Sequence, residues 1–144
     1  MEQALALARE AFDAGEVPVG AVVTGLDGTV LAAARNEMRA RRDPTAHAEM
    51  LAIRAAAEAL GSERLAGCDL HVSLEPCAMC AAAISFARIR RLYYGAEDEK
   101  QGAVDNGPRF YASPSCHHAP EVYGGIAAGE AADLMTRFFA SRRR

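Results

Sequence analysis

Four residues of this chain, His47, Glu49, Cys77 and Cys80, combine side-chain type and spacing in a way that adds up to chemistry. The two thiols stand three apart in Pro76-Cys77-Ala78-Met79-Cys80, just ahead of the apolar run Ala81-Ala82-Ala83-Ile84. If that run is a helix, both thiols fall in its first turn and on one face, since residues i and i+3 are neighbours at about 3.6 residues per turn. Unpaired N–H groups and the positive end of the dipole favour thiolate at such a position. Two converging thiolates are half of a zinc site. His47, in Thr45-Ala46-His47-Ala48-Glu49, offers a third ligand, and three protein ligands leave the fourth tetrahedral position of zinc to water. Zinc lowers the pKa of such a water to about 7. Glu49 is suited to take the proton of that water and hand it to a substrate. The spacing points to hydrolysis.

The His-x-Glu spacing carries a structural demand. Residues i and i+2 of a regular helix diverge by about 200°, so they cannot both face one ion from mid-helix. His47 is therefore predicted at a helix start, with no regular turn formed before it. Two other uses of the thiols are set against this one. A redox Cys-x-x-Cys pair lacks a thioredoxin-like context here. A structural zinc module that binds RNA without turnover needs a fourth protein ligand, drawn from Cys68, Cys116 or a loop histidine, and leaves Glu49 without a purpose. Cys68 and Cys116 have no partner at ligand spacing and read as spectators, and His71 reads as a strand residue.

The elements that must position these groups follow from patterning. At 144 residues, 51% hydrophobic and 24% charged, the chain fits one globular domain spanning 1–144. The polar start Met1-Glu2-Gln3 does not resemble a signal peptide, and no apolar run reaches the roughly 18 residues of a membrane span. A cytoplasmic protein without membrane contact is the expectation, with cysteines as ligands or spectators before disulfides. A net charge of −3 argues against indiscriminate nucleic-acid binding. Even so, nine of the sixteen basic residues cluster at Arg39, Arg41 and Arg42, at Arg88, Arg90 and Arg91, and at Arg142, Arg143 and Arg144. Those clusters are either solvated surface or a phosphate footprint.

A helical stripe runs from Glu2 to Ala14 and stops at Gly15. Ala21–Val23 and Val30–Ala32 read as strands joined by a hairpin at Leu26-Asp27-Gly28. Asn36 to Pro44 reads as a polar loop. Thr45 is a predicted N-cap for a helix from Ala46 to about Leu60, ended by Gly61. Strands follow at Leu70–Leu74 and Leu92–Tyr94, a long functional loop from Gly95 to Pro120, a strand from Glu121 to Ile126, and a closing helix from Glu130 to Ala140. This alternation predicts an α/β protein, a three-layer α/β/α sandwich around a mixed five-stranded sheet. From Cys77 to Ala87 only Ser85 is polar. Such a helix is buried on more than one face, against a second copy of the chain in a homodimer or beneath the long loop.

With these residues in view, the sequence resembles the cytidine deaminase superfamily, and within it the bacterial tRNA-specific adenosine deaminases. The likeness spans Glu16–Val22, Asn36, Asp43–Glu49, Leu74–Cys80, Gly95-Ala96 and Lys100–Ala103, and ends in the Phe138-Phe139 helix with its arginine tail. Asp105 to Ala119 departs from the family pattern. The resemblance implies a cytidine deaminase-like fold with one zinc ion per chain on His47, Cys77 and Cys80. It implies that Glu49 carries the proton of the attacking water to N1 of adenine while the oxygen adds at C6, and then helps ammonia leave. Asn36 and the Ala48 N–H are the implied contacts to a flipped base. The implied substrate is the wobble adenosine of a tRNA anticodon stem-loop, converted to inosine, with arginines holding phosphates and with His117 and His118 as candidate contacts to loop nucleotides. A zinc deaminase of free guanine or cytidine shares every ligand and is the alternative.

Overall fold

A computed structural model describes residues 1–142, so Arg143 and Arg144 of the terminal arginine cluster lie outside the described residues. In chain order the helices are α1 (Glu2–Asp13), α2 (Met38–Arg41), α3 (Ala48–Leu60), α4 (Ala78–Phe86) and α5 (Ala128–Arg142). The strands are β1 (Gly20–Thr24), β2 (Val30–Arg35), β3 (Asp69–Leu74), β4 (Arg91–Ala96) and β5 (Glu121–Tyr123). The sheet order is β2-β1-β3-β4-β5. β1 runs antiparallel to β2 and β3, whereas β3, β4 and β5 are parallel. The sheet is therefore mixed and five-stranded, as the sequence predicts.

Alternation along each strand sends side chains to opposite faces. Ala21, Val23, Leu70, Val72 and Leu92 share a core with Ala48, Ala52 and Ala56 of α3 and with Ala81 and Ile84 of α4. On the other face Gly20 lies against α1 and Gly95 against Ala131 of α5, and at the strand ends Leu74 and Ala96 join a second cluster with Leu5 and Ala8 of α1 and Ala131 and Leu134 of α5. Those two helix layers complete the sandwich. A Cβ on Gly20 would sit 2.1 Å from the Ala4 carbonyl oxygen and 2.6 Å from Leu7 Cβ. Only glycine lets α1 lie so close to the start of β1.

Two elements differ from the sequence reading. Asn36–Pro44 is not all loop, because it holds α2, whose Arg39 and Ala40 N–H groups donate to the buried Glu16 carboxylate at 3.0 and 2.8 Å. A cap from so far back in the chain leaves no local signal. Thr45 does not cap α3: its N–H and hydroxyl donate to Asp43 Oδ1 at 2.8 and 2.7 Å, and the helix begins later, at Ala48. The β4–β5 crossover is made by an irregular segment carrying one 3₁₀ turn, Phe110–Ala112.

That segment covers part of α4. Tyr111 donates its hydroxyl to the Ala81 carbonyl at 2.9 Å, and Ser85 donates to the His118 carbonyl at 2.6 Å. The His118 ring bonds the Ile89 carbonyl at 2.7 Å and is committed to the fold, while His117 is exposed. His71 stacks on Tyr93, its centroid 4.8 Å away, as a strand residue. Among the described residues no helix is long and apolar enough to cross a membrane.

Candidate active site

Two helix starts converge on one point beside the sheet. His47 is the extended residue before α3, with φ −71° and ψ 151°, and Cys77 is the extended residue before α4, with φ −74° and ψ 177°. No helical turn leads into His47, which meets the demand of the His-x-Glu spacing. The Asp43–Thr45 turn and the Glu37 N–H bond to the Ala46 carbonyl, at 3.0 Å, deliver the chain to His47 in that extended form.

His47 Nδ1 lies 3.6 Å from Cys77 Sγ and 3.5 Å from Cys80 Sγ, and the three ligand atoms lie within 4.8 Å of one another. Zinc bonds of about 2.3 Å to sulfur and about 2.0 Å to nitrogen give a tetrahedral N–S edge of about 3.5 Å. The trio fits zinc. Among the described residues it is the one group of three His, Cys, Asp or Glu side chains gathered this way.

The electrostatics suit a cation. The Cys80 thiol donates to Cys77 and, with help from His47, pulls the Cys77 thiol down to about 4 against the effect of burial. Cys80, left holding the shared proton and buried, is pushed up, and the bond to Cys77 raises His47. A bound cation displaces that proton and takes both sulfurs as thiolates. Glu49, in the first turn of α3, is 4% exposed, and burial pushes its carboxyl up to about 7. A carboxyl poised there gives up and takes back a proton at little cost.

His47, Glu49 and Cys77 open into a cavity of about 330 Å³, walled in part by Asn36, Met135 and Phe139. Asn36 is 3% exposed and donates through Nδ2 to the Val17 carbonyl at 3.4 Å. Its Oδ1 is the one buried side-chain polar atom among the described residues with no partner. Ala48 also lines the cavity, and as the first residue of α3 its N–H has no intrahelical acceptor. The structure thus brings together all six residues singled out in the sequence. Cys68 and Cys116 stay outside the trio.

Sequence reasoning missed two carboxylates as structural agents. Glu16 holds α2, and with it Met38, against the cavity. Glu75, 2% exposed, accepts five hydrogen bonds from the far wall. Burial alone would raise Glu75, but the N–H groups of Asp98, Val104 and Asp105 and the Asn106 amide hold its carboxyl below the usual range. The available signal was an acidic residue closing an otherwise buried strand, directly before Pro76-Cys77.

A three-ligand zinc site with a buried carboxylate, set at two helix starts of this sandwich, defines a hydrolytic deaminase. Residues 1–96 match the family model for the cytidine and deoxycytidylate deaminase zinc-binding region. The chain is 59% identical over 143 residues to the tRNA-specific adenosine deaminase of Agrobacterium fabrum, covering 99% of this chain and 93% of that protein. It belongs to the cytidine and deoxycytidylate deaminase family, among the tRNA-specific adenosine deaminases. A solved structure from a study of A-to-I editing by tRNA:A34 deaminases at the wobble position superposes with a TM-score of 0.91 at 60% identity, covering 93% of this chain and 96% of that one. The guanine deaminase of Nitrosomonas europaea superposes with a TM-score of 0.83 at 25% identity, covering 96% and 82%.

Proposed function

We propose that this protein deaminates the wobble adenosine of a tRNA anticodon loop, position 34 in the related deaminases, to inosine in the cytoplasm. The observation that carries the chemistry is the His47–Cys77–Cys80 trio beside buried Glu49, with His47, Glu49 and Cys77 lining the cavity. Zinc, when bound there, supplies an activated water at neutral pH. Asn36, with its free Oδ1, and the Ala48 N–H hold the edge of a base turned out of its loop. Glu49 takes the proton of the attacking water and delivers it to N1 as oxygen adds at C6. Glu49, a carboxylate again, takes the remaining proton of the oxygen added at C6 and passes it to the amine, which leaves as ammonia as the C6–N bond breaks and the carbonyl forms. A loop base suits this mechanism because extruding an unpaired nucleotide costs least.

The likeness to a guanine deaminase keeps one alternative in play, a free base as substrate. One assay decides between them. Zinc-loaded protein is expected to form inosine in an anticodon stem-loop with adenosine at the wobble position, and no ammonia from free guanine or cytidine. Ammonia from guanine without inosine in the RNA would reverse the assignment.

The reading includes a homodimer formed through α4. Phe86 is 75% exposed and Ala78 is exposed on the side of α4 that its own loop leaves bare, with Met79, Ala82 and Ala83 half-buried. An apolar helix face pairs with itself across a two-fold axis without needing any other complementary surface. Light scattering is expected to give a dimer for the native chain and a monomer for Phe86→Glu. A dimer in both would move the interface elsewhere.

A further inference from the structure

We infer that Glu75 is a positioning residue, whose buried carboxylate fastens the 98–106 loop onto the turn carrying Cys77 and so fixes the substrate-facing wall of the cavity. This inference rests on the deaminase reading above but adds a residue to which that reading gives no part. Oε2 accepts the N–H groups of Val104, Asp105 and Asn106 at 3.0, 2.9 and 3.0 Å. Oε1 accepts the Asp98 N–H at 3.0 Å and the Asn106 side-chain amide at 2.6 Å. Donors from both ends of the loop thus close on one side chain.

The loop is seated on the cysteine turn itself. The Ala103 N–H donates to the Pro76 carbonyl at 2.9 Å, and Cys77 bridges to Gly102. A Cβ on Gly102 would lie 2.6 Å from Glu75 Cδ and 2.4 Å from the Asp98 carbonyl oxygen, so carboxylate and loop are in direct contact. Tyr94 extends the arrangement by donating its hydroxyl to Asp105. Between these anchors the loop presents Asp98, Lys100 and Gln101 to the cavity. Lys100 and Gln101 are exposed, so packing does not hold them. Their distance from Cys77 is set by the loop's attachment to Glu75 together with its bonds to the Pro76–Cys77 turn.

Only a carboxylate meets this set of donors. A glutamine at 75 keeps the volume but turns its own NH₂ toward backbone N–H groups at one of the two oxygen positions. The loop then loses part of its anchorage, while the ligand trio, held by two helix starts, keeps its shape. Misplacing a wall that touches only bound substrate weakens binding before it slows chemistry.

The test compares zinc-loaded native protein with Glu75→Gln and Asn106→Ala, the latter removing one donor and leaving the carboxylate in place. Zinc content, hydrogen exchange of the amides at 104–106 and steady-state kinetics on the stem-loop are read together. For Glu75→Gln we expect one zinc per chain, exchange at 104–106 faster by about tenfold or more, and KM raised by about tenfold with kcat within about threefold. Asn106→Ala is expected to raise KM by about threefold, and it reads the same contact if Glu75→Gln does not fold. Native exchange and KM in the variants would overturn the inference, as would zinc loss with a fall confined to kcat, which would assign Glu75 to the ion. Absence of inosine from native protein would sink the RNA reading, and the exchange rates at 104–106 would still decide the anchoring role of Glu75.

Discussion

Glu49→Gln is expected to keep one zinc per chain and the native fold while inosine formation falls by about two orders of magnitude or more, the usual cost of removing a positioned acid–base group. The substitution preserves volume at a site that is 4% exposed, so no cavity opens in the first turn of α3. Burial already disfavours the charged form of Glu49, and a neutral amide costs no more to bury than that carboxylate. Stability should therefore hold. What the amide cannot do is carry one proton from water to N1 and then a second from the oxygen added at C6 to the departing amine. The loss is expected in kcat, with KM for the stem-loop little changed, because Asn36 and the Ala48 N–H, the proposed contacts to the base, are left in place. Metal analysis, thermal melting and inosine quantification on one preparation check all three points. Native turnover in this variant would remove Glu49 from the mechanism.

How far the sequence revealed this site depends on the range of the interactions involved. The placement of His47 was legible because it follows from local stereochemistry: two residues i and i+2 share a target only at a helix start, and the extended backbone at His47 provides that start. The Cys-x-x-Cys turn was legible for the same reason. The start of α3 was misplaced because Thr45 has the side chain of a cap, but Asp43, two residues back, claims both its donors. α2 was missed because its N–H groups are satisfied by Glu16, far away in sequence. The task of Glu75 was invisible for a stronger version of that reason. Its donors lie in a loop whose weak periodicity gives no position to any residue until the β3–β4 pairing brings 98–106 over Pro76. The apolar surround of α4 points to burial on more than one face, and the structure lays the chain's own loop, through Tyr111, over one of them; a single sequence does not say which face the loop takes.

Cys80→Ser is expected to abolish both zinc binding and activity, and the contrast with Glu49→Gln separates the ion's role from the proton carrier's. Cys80 is fully buried in the first turn of α4, with its sulfur 3.5 Å from His47 Nδ1. A serine hydroxyl is shorter, harder and protonated at neutral pH, so it does not replace a thiolate as a zinc ligand. The two remaining ligands, His47 and Cys77, hold the ion too weakly to survive dialysis. A second readout tests the site without any substrate. Free zinc at about 100 times its Kd stabilises a protein that binds it only when folded by about 2.7 kcal/mol, so added zinc raises the melting temperature of metal-stripped native protein. The same addition should leave Cys80→Ser unmoved. If the variant holds stoichiometric zinc and still makes inosine, the third ligand lies elsewhere and the geometry of the trio is incidental. If its melting temperature climbs with zinc as the native protein's does, the ion is held by groups outside the trio. The predicted pairing, one variant inactive with its metal and the other inactive without it, is hard to obtain unless these two helix starts supply ligands and proton carrier separately.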